Sequence, residues 1–184
     1  MRNGGEDIAQ ALALMGVRPV WDGPTRRLVE VEVIPLALLG RPRVDVTLRI
    51  SGLFRDAFPQ LVGWFNRACS LVGALQEPEG LNPLAAAARR EGSSSRVYGS
   101  APGAYGAGLQ ALIDSGNWEN RAELADAYLA WSSWSYGAPV GAGAGTAAAL
   151  PGDGAFAGIE AQSDRQGLER RLQKVCLLYT SDAA

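Results

Sequence analysis

Residues 43–50, RVDVTLRI, alternate polar and apolar side chains without interruption. Val44, Val46, Leu48 and Ile50 share one face, and Asp45, Thr47 and Arg49 the other, the period-two pattern of a half-buried strand. Ser51-Gly52 breaks the pattern. Residues 54–75, FRDAFPQLVGWFNRACSLVGAL, then read as one helix with Leu61, Trp64, Phe65, Ala68, Leu71, Val72 and Leu75 on a single stripe. Pro59 sits early in it, where a missing N–H costs least. Strand, tight turn and helix in that order predict an α/β arrangement, whose ligands collect at the carboxyl ends of strands. Ser51 to Asp56 lie at such an end.

The rest of the chain predicts a predominantly helical α/β fold with a few short, parallel strands. Ile8, Leu12 and Met15 recur at helical spacing within residues 5–16, and Gly16 closes the run. A turn at Asp22-Gly23-Pro24 precedes Val29, Val31 and Val33, which alternate with Glu30 and Glu32 as in a half-buried strand. Short helices are expected around LNPLAAAARR and from Leu109 to Ile113. A further helix, ELADAYLAWSSW, has Asn120 as N-cap and Glu123 three residues on. Residues 1–136 thus form one core unit. Residues 137–154 read as a Gly/Ala-rich linker, and 155–175 as an amphipathic helix with Phe156, Ile159, Leu168 and Leu172. Residues 176–184, CLLYTSDAA, resemble the translation of a sequencing adapter and are set aside as a non-native tail. The natural protein is then expected to continue past Lys174. Cys69, on the apolar helix stripe, is left as the one native thiol and is expected to be buried.

Composition closes off several chemistries. The 184 residues contain no histidine, so the commonest general base and metal ligand are missing. Two cysteines make neither a disulfide scaffold nor a zinc set. A net charge of −2 without a basic cluster argues against a nucleic-acid groove. No apolar stretch is long enough for a membrane span and no signal-like start is present, so a cytoplasmic protein is expected.

Residues 98–113, YGSAPGAYGAGLQALI, contain Gly106, Gly108 and Ala111 in the G-x-G-x-x-G/A spacing of a dinucleotide site, with Asp126 downstream. That site needs a buried strand ending at the first glycine. The preceding EGSSSRVYGSAPGAY reads as a loop with one Arg-Val-Tyr triplet, and the segment lacks the lysine of a P-loop. A dinucleotide-dependent oxidoreductase is discounted on that ground. The segment reads as a turn and helix start that permits close backbone approach. Arg55 and Asp56 form either a helix-start ion pair or an anion-binding arginine with a carboxylate partner. Arg49 and Asp45 are expected to be solvated, and Trp131, Trp134 and Tyr136 to serve as core or interface.

Three long segments carry a resemblance: GGEDIAQALALMGVRPVWD, GRPRVDVTLRISGLFRDAFP and YGSAPGAYGAGLQALIDSGNWENRAELADAYLAW. Together they resemble the large subunit of the cobaltochelatase family, which also contains the porphyrin-binding subunit of magnesium chelatase. The match runs in order over nearly all of residues 2–136. LRISGLFRDAF and GAYGAGL resemble the cobalt branch, although Ala101 stands where the family usually has lysine. The resemblance implies a piece of a much longer protein, inactive alone. That protein would bind cobalt(II) and hydrogenobyrinic acid a,c-diamide for an ATP-dependent metal insertion in cobalamin biosynthesis. ATP would be used by two smaller partners, one an AAA+ ATPase, in agreement with the missing Walker motif. Insertion requires loss of ring N–H protons and shedding of metal-bound water, tasks for a carboxylate base and a preorganised cleft. The residues expected at that cleft are Arg49, Ser51, Arg55, Asp56, Tyr105 and Gly106, with Gly103 and Gly108 allowing approach to a flat macrocycle. The resemblance assigns neither a catalytic base nor metal ligands. The alternatives are a magnesium chelatase subunit acting on a porphyrin, and a non-catalytic docking piece for the ATPase.

Overall fold

The computed structural model describes residues 5–137 and 161–174. Helix α1 (Glu6–Met15) buries Ile8, Leu12 and Met15, and ends at Gly16 in the left-handed conformation. Strands β1 (Val17–Trp21) and β2 (Leu28–Val33) pair antiparallel as a hairpin. Asp22 closes its turn by accepting hydrogen bonds from the backbone N–H and hydroxyl of Thr25. Of the three alternating valines expected to face inward, only Val31 is fully buried; Val29 is exposed.

After the short helix α2 (Leu36–Leu39), the chain reaches β3 (Leu48–Arg49). Of the eight-residue strand expected at 43–50, only Leu48 and Arg49 form a strand. Its alternation misleads because arginines occupy interior positions. Arg43 and Arg49 are buried while Val44 is exposed. Arg43 directs all five N–H donors at Glu77 and the carbonyls of Met15, Gly16 and Ile34.

The long helix expected from residue 54 is two helices, α3 (Gly52–Ala57) and α4 (Pro59–Gly73). Phe58, at φ −133°, breaks them because the residue before a proline is pushed out of the helical region. Pro59 thus starts a helix. Helix α4 carries Val62, Trp64, Phe65, Ala68, Cys69 and Val72 into a core shared with α1, Val31, Leu84, Ile50, Val97 and Tyr136. Cys69 is buried as expected, and desolvation raises its thiol pKa well above the ordinary value. Asn82 caps α5 (Pro83–Glu91) through the N–H of Ala85.

The triplet read as loop, Arg96-Val97-Tyr98, is buried, and β4 (Val97–Gly99) lies inside a four-stranded sheet. Its order is β3-β4-β5-β6, with β5 (Trp134–Ser135) and β6 (Gln162–Ser163). Only β3–β4 is parallel among the described strands; the other pairs are antiparallel, contrary to the expected parallel strands. A three-residue strand that ends in glycine and lies between Arg96 and Ser100 carries too little periodicity to stand out. The fold class is nonetheless a mixed α/β one.

Helices α6 (Gln110–Ser115) and α7 (Arg121–Ser132) follow β4. Asn120 accepts from the N–H groups of Ala122 and Glu123, while the Glu123 carboxylate takes the N–H of Glu119, a displaced capping box. Helix α8 covers Arg165–Leu172, so the described end of the expected 155–175 helix begins as strand β6. Asp164 caps α8 and accepts a hydrogen bond from Tyr98 Oη at 2.9 Å. The expected linker beyond Gly137, the start of the 155–175 helix and the 176–184 tail lie outside the described residues. No helix among the described residues is long and apolar enough to cross a membrane.

Candidate functional site

Parallel pairing of β3 with β4 sets Leu48 against Val97 and Arg49 against Tyr98. Both strands therefore end at the same edge of the sheet. From β3 the chain turns at Ser51 into α3; from β4 it enters the glycine-containing loop of residues 100–109. The predicted ligand edge and the segment with nucleotide-like spacing are thus neighbours. Contrary to the expectation of a loop, a strand does precede Gly106. That strand ends at Gly99, well short of Gly106, and the helix begins only at Gln110, so no tight strand-to-helix turn is formed.

Ser51 caps α3, its Oγ accepting from Phe54 N at 3.1 Å. Gly52 is buried against the loop: a Cβ there would lie 2.4 Å from the Ala104 carbonyl oxygen and 2.9 Å from the Tyr105 ring. We expect Gly52→Ala to displace the loop and cost about 1–3 kcal/mol, read from the urea unfolding midpoint. An unchanged midpoint would mean that the two backbones do not meet.

Arg55 turns inward. Its Nε and Nη2 donate to both carboxylate oxygens of Asp56, at 2.6 and 2.9 Å. Its Nη1 donates to the carbonyls of Ser100 (3.3 Å) and Ala101 (2.9 Å) and to Tyr136 Oη (3.2 Å). Only 11% of its side chain is exposed, against 43% for Asp56. The expected fork offered to a ligand's acidic groups is thus already engaged within the chain. Tyr105, exposed on the loop, donates its hydroxyl to Asp56 at 2.7 Å and stands 5.7 Å from the Arg55 guanidinium by its ring centre.

The charges of this trio support one another. Hydrogen bonding to Asp56 raises the Arg55 pKa above its already high value. Hydrogen bonds from Arg55 and then Tyr105 lower the Asp56 pKa. The hydrogen bond to Asp56 raises the Tyr105 phenol pKa. Asp56 consequently remains an anion and is a weak base, suited to holding charge rather than to taking a proton from a ring nitrogen.

Helix α7 fixes the far side of the loop. Trp131 Nε1 donates to the Gly106 carbonyl at 3.0 Å, and Arg49 Nη2 lies 3.5 Å from the same oxygen and 3.3 Å from Ser132 Oγ. Arg49, expected to be solvated, is buried with its guanidinium 5.7 Å from the Tyr128 ring centre. Gly108, at φ 73°, lies so close to Trp131 that a Cβ would sit 2.3 Å from the indole. The predicted residues Ser51, Arg55, Asp56 and Tyr105 are brought together, while Gly106 and Arg49 meet one step away, against α7. Sequence reasoning misses Gly52, Trp131 and Tyr136 as parts of this arrangement. The aromatic run WSSWSY is the available signal, but its period does not reveal which polar tips reach the loop. Among the described residues no group of three or more acidic, cysteine or histidine side chains could hold a metal ion.

A family model described as CobN/Magnesium Chelatase matches residues 1–183. The chain is 53% identical over 154 residues to the aerobic cobaltochelatase subunit CobN of a Sinorhizobium species, covering 75% of this chain and 12% of that protein. It is 40% identical over 147 residues to a magnesium-chelatase subunit of Rhodobacter capsulatus, covering 74% and 12%. Among solved structures, it resembles the catalytic subunit of cobaltochelatase from Mycobacterium tuberculosis at 47% identity and a TM-score of 0.67, over 72% of this chain and 12% of that one. The chain thus spans about an eighth of the length of the relatives it matches.

Proposed function

Because this chain belongs to the CobN/magnesium chelatase family, we propose that it is a segment of the large, substrate-binding subunit of an ATP-dependent cobaltochelatase. The subunit takes cobalt(II) and hydrogenobyrinic acid a,c-diamide as substrates in cobalamin biosynthesis. ATP is hydrolysed by an AAA+ partner, which works with a second small subunit, and the complex acts in the cytoplasm. The observation that carries the reading is the higher identity to the cobalt-inserting relative, 53% against 40% for the magnesium-chelatase subunit. The geometry is compatible with it. A loop made of small residues, with Tyr105 exposed on it, allows a flat macrocycle to approach the backbone closely.

In this reading the chain's own residues bind and orient. The Tyr105 ring offers a stacking face, and the persistent negative charge of Asp56 stands beside it. Macrocycle deprotonation falls to groups other than Asp56, whose basicity is suppressed.

The test is a spectroscopic titration of the complete large subunit with hydrogenobyrinic acid a,c-diamide and, separately, with protoporphyrin. The corrinoid is expected to bind at least ~10-fold more tightly, a difference of about 1.4 kcal/mol. Preference for the porphyrin would move the protein to the magnesium branch. Binding of neither, with retention of the ATPase partner in a pull-down, would make the segment a docking piece.

A further inference from the structure

We propose that Tyr136 and Arg55 form a clasp that holds the 100–106 loop in its ligand-ready shape, so that both are positioning residues and neither touches the tetrapyrrole. The proposal rests on the tetrapyrrole-binding reading above and gives Arg55 a different task from the anion-binding one expected of it.

Tyr136 is anchored on three sides. Its N–H donates to the Val97 carbonyl at 2.8 Å, and its own carbonyl accepts from Asn66 Nδ2 on α4 at 2.6 Å. Its ring belongs to the hydrophobic core and the residue is 2% exposed. From that anchored base the hydroxyl donates to the Ser100 carbonyl and accepts from Arg55 Nη1. Arg55 passes the restraint on to the Ala101 carbonyl, and through Asp56 to the Tyr105 hydroxyl. The Arg55 guanidinium sits 5.8 Å from the Tyr136 ring centre and 5.7 Å from that of Tyr105. Inside the loop, Ser100 Oγ donates to the Ala104 carbonyl at 2.6 Å. One chain of contacts therefore runs from the core helix to the exposed aromatic ring of Tyr105. The guanidinium meets both oxygens of Asp56 and two carbonyls at once, more acceptors than an ammonium's three N–H groups can serve. Preordering a loop before binding removes an entropic cost that the ligand would otherwise meet.

Burial makes the proposal testable, because a 2% exposed residue affects binding only through what it holds. The complete subunit is titrated with hydrogenobyrinic acid a,c-diamide as wild type, Tyr136→Phe, Arg55→Lys and Arg55→Ala. Tyr136→Phe keeps the core ring and removes only the hydroxyl. It is expected to raise Kd about tenfold, because the hydroxyl's two hydrogen bonds, to the Ser100 carbonyl and from Arg55, are both lost. Arg55→Lys is expected to lose about as much as Arg55→Ala, and the salt dependence of Kd to stay unchanged in all three. Amide hydrogen exchange across residues 101–108 is expected to accelerate in each variant, and in Tyr136→Phe by more there than at the core amides of α4.

If Arg55 instead grips an acidic group of the ligand, Arg55→Lys retains most of the affinity, Arg55→Ala flattens the salt dependence and Tyr136→Phe binds normally. That pattern overturns the clasp while leaving the function intact. Unchanged exchange in the Tyr136 variant overturns it too. A wild-type subunit that binds no tetrapyrrole sinks the functional reading and the clasp with it, and is recognised because the wild type itself fails.

Discussion

Replacing Arg43 by alanine is expected to destabilise the protein by about 3–5 kcal/mol, the scale for breaking a buried ion pair from one side. The Arg43 side chain has no exposed surface, and its partner Glu77 is 16% exposed. The loss is compound. Glu77 would keep its charge with the amide of Asn82 as its remaining donor here, and the carbonyls of Met15, Gly16 and Ile34 would lose their shared donor. Those carbonyls lie at the end of α1, at the entry to the hairpin and just after β2, so Arg43 fastens the first part of the chain to the rest. Glu77→Gln leaves the guanidinium buried without its countercharge and is expected to cost about as much.

The pH dependence follows with a definite sign. Hydrogen bonding from Arg43, then from Asn82, lowers the Glu77 pKa in the folded state. A carboxyl with a depressed folded pKa stabilises above its unfolded value of about 4.3, and that contribution is lost as pH falls through the folded value. The difference between wild type and Glu77→Gln in urea unfolding should therefore be full at neutral pH and shrink below about pH 4.3. A pH-independent difference would place the Glu77 contribution in packing rather than in charge.

Phe65→Ala is the second large effect, expected at about 3–5 kcal/mol from lost burial and the cavity left behind. Phe65 has no exposed surface and sits on α4 within the cluster that includes Met15, Val31, Ile50, Val97 and Tyr136. The same cluster supports the hairpin, the two parallel strands and the base of the loop clasp. The variant should accordingly lower the unfolding midpoint and also speed amide exchange at residues 100–106. Leu53→Ala is the control. Leu53 is 69% exposed, so less than about 0.5 kcal/mol is expected. Equal losses in the two variants would contradict the assignment of the core to the α4 face.

Legibility in the sequence tracks how local the determining interaction is. The boundaries of α1 and the Asn120 cap depend on residues within four positions of one another, and both are readable. The break at Phe58 is readable in principle from Pro59, yet the apolar stripe running through it suggests one helix. The buried strand β4 is not readable: its three residues gain their ladder from β3 and β5, which lie far off in the chain. Within the site, Arg55 and Asp56 are adjacent and stand out together, whereas Tyr136 is 81 residues from Arg55 and reads only as core or interface.

The sequence by itself determined the buried face of α1, the Gly16 stop and the Asn120 cap, the α/β class and the family, because periodicity, capping chemistry and long ordered motifs are written along the chain. Tertiary structure alone decided that Arg43, Arg49 and Arg96 are interior residues and that the Arg55 fork serves the loop. The fate of a guanidinium depends on which carboxylates and carbonyls arrive around it, and for Arg43 and Arg96 those partners come from 34 and 51 residues away. Without them, desolvation would keep such charges at the surface; with them, burial is tolerated and the arginine becomes a strut.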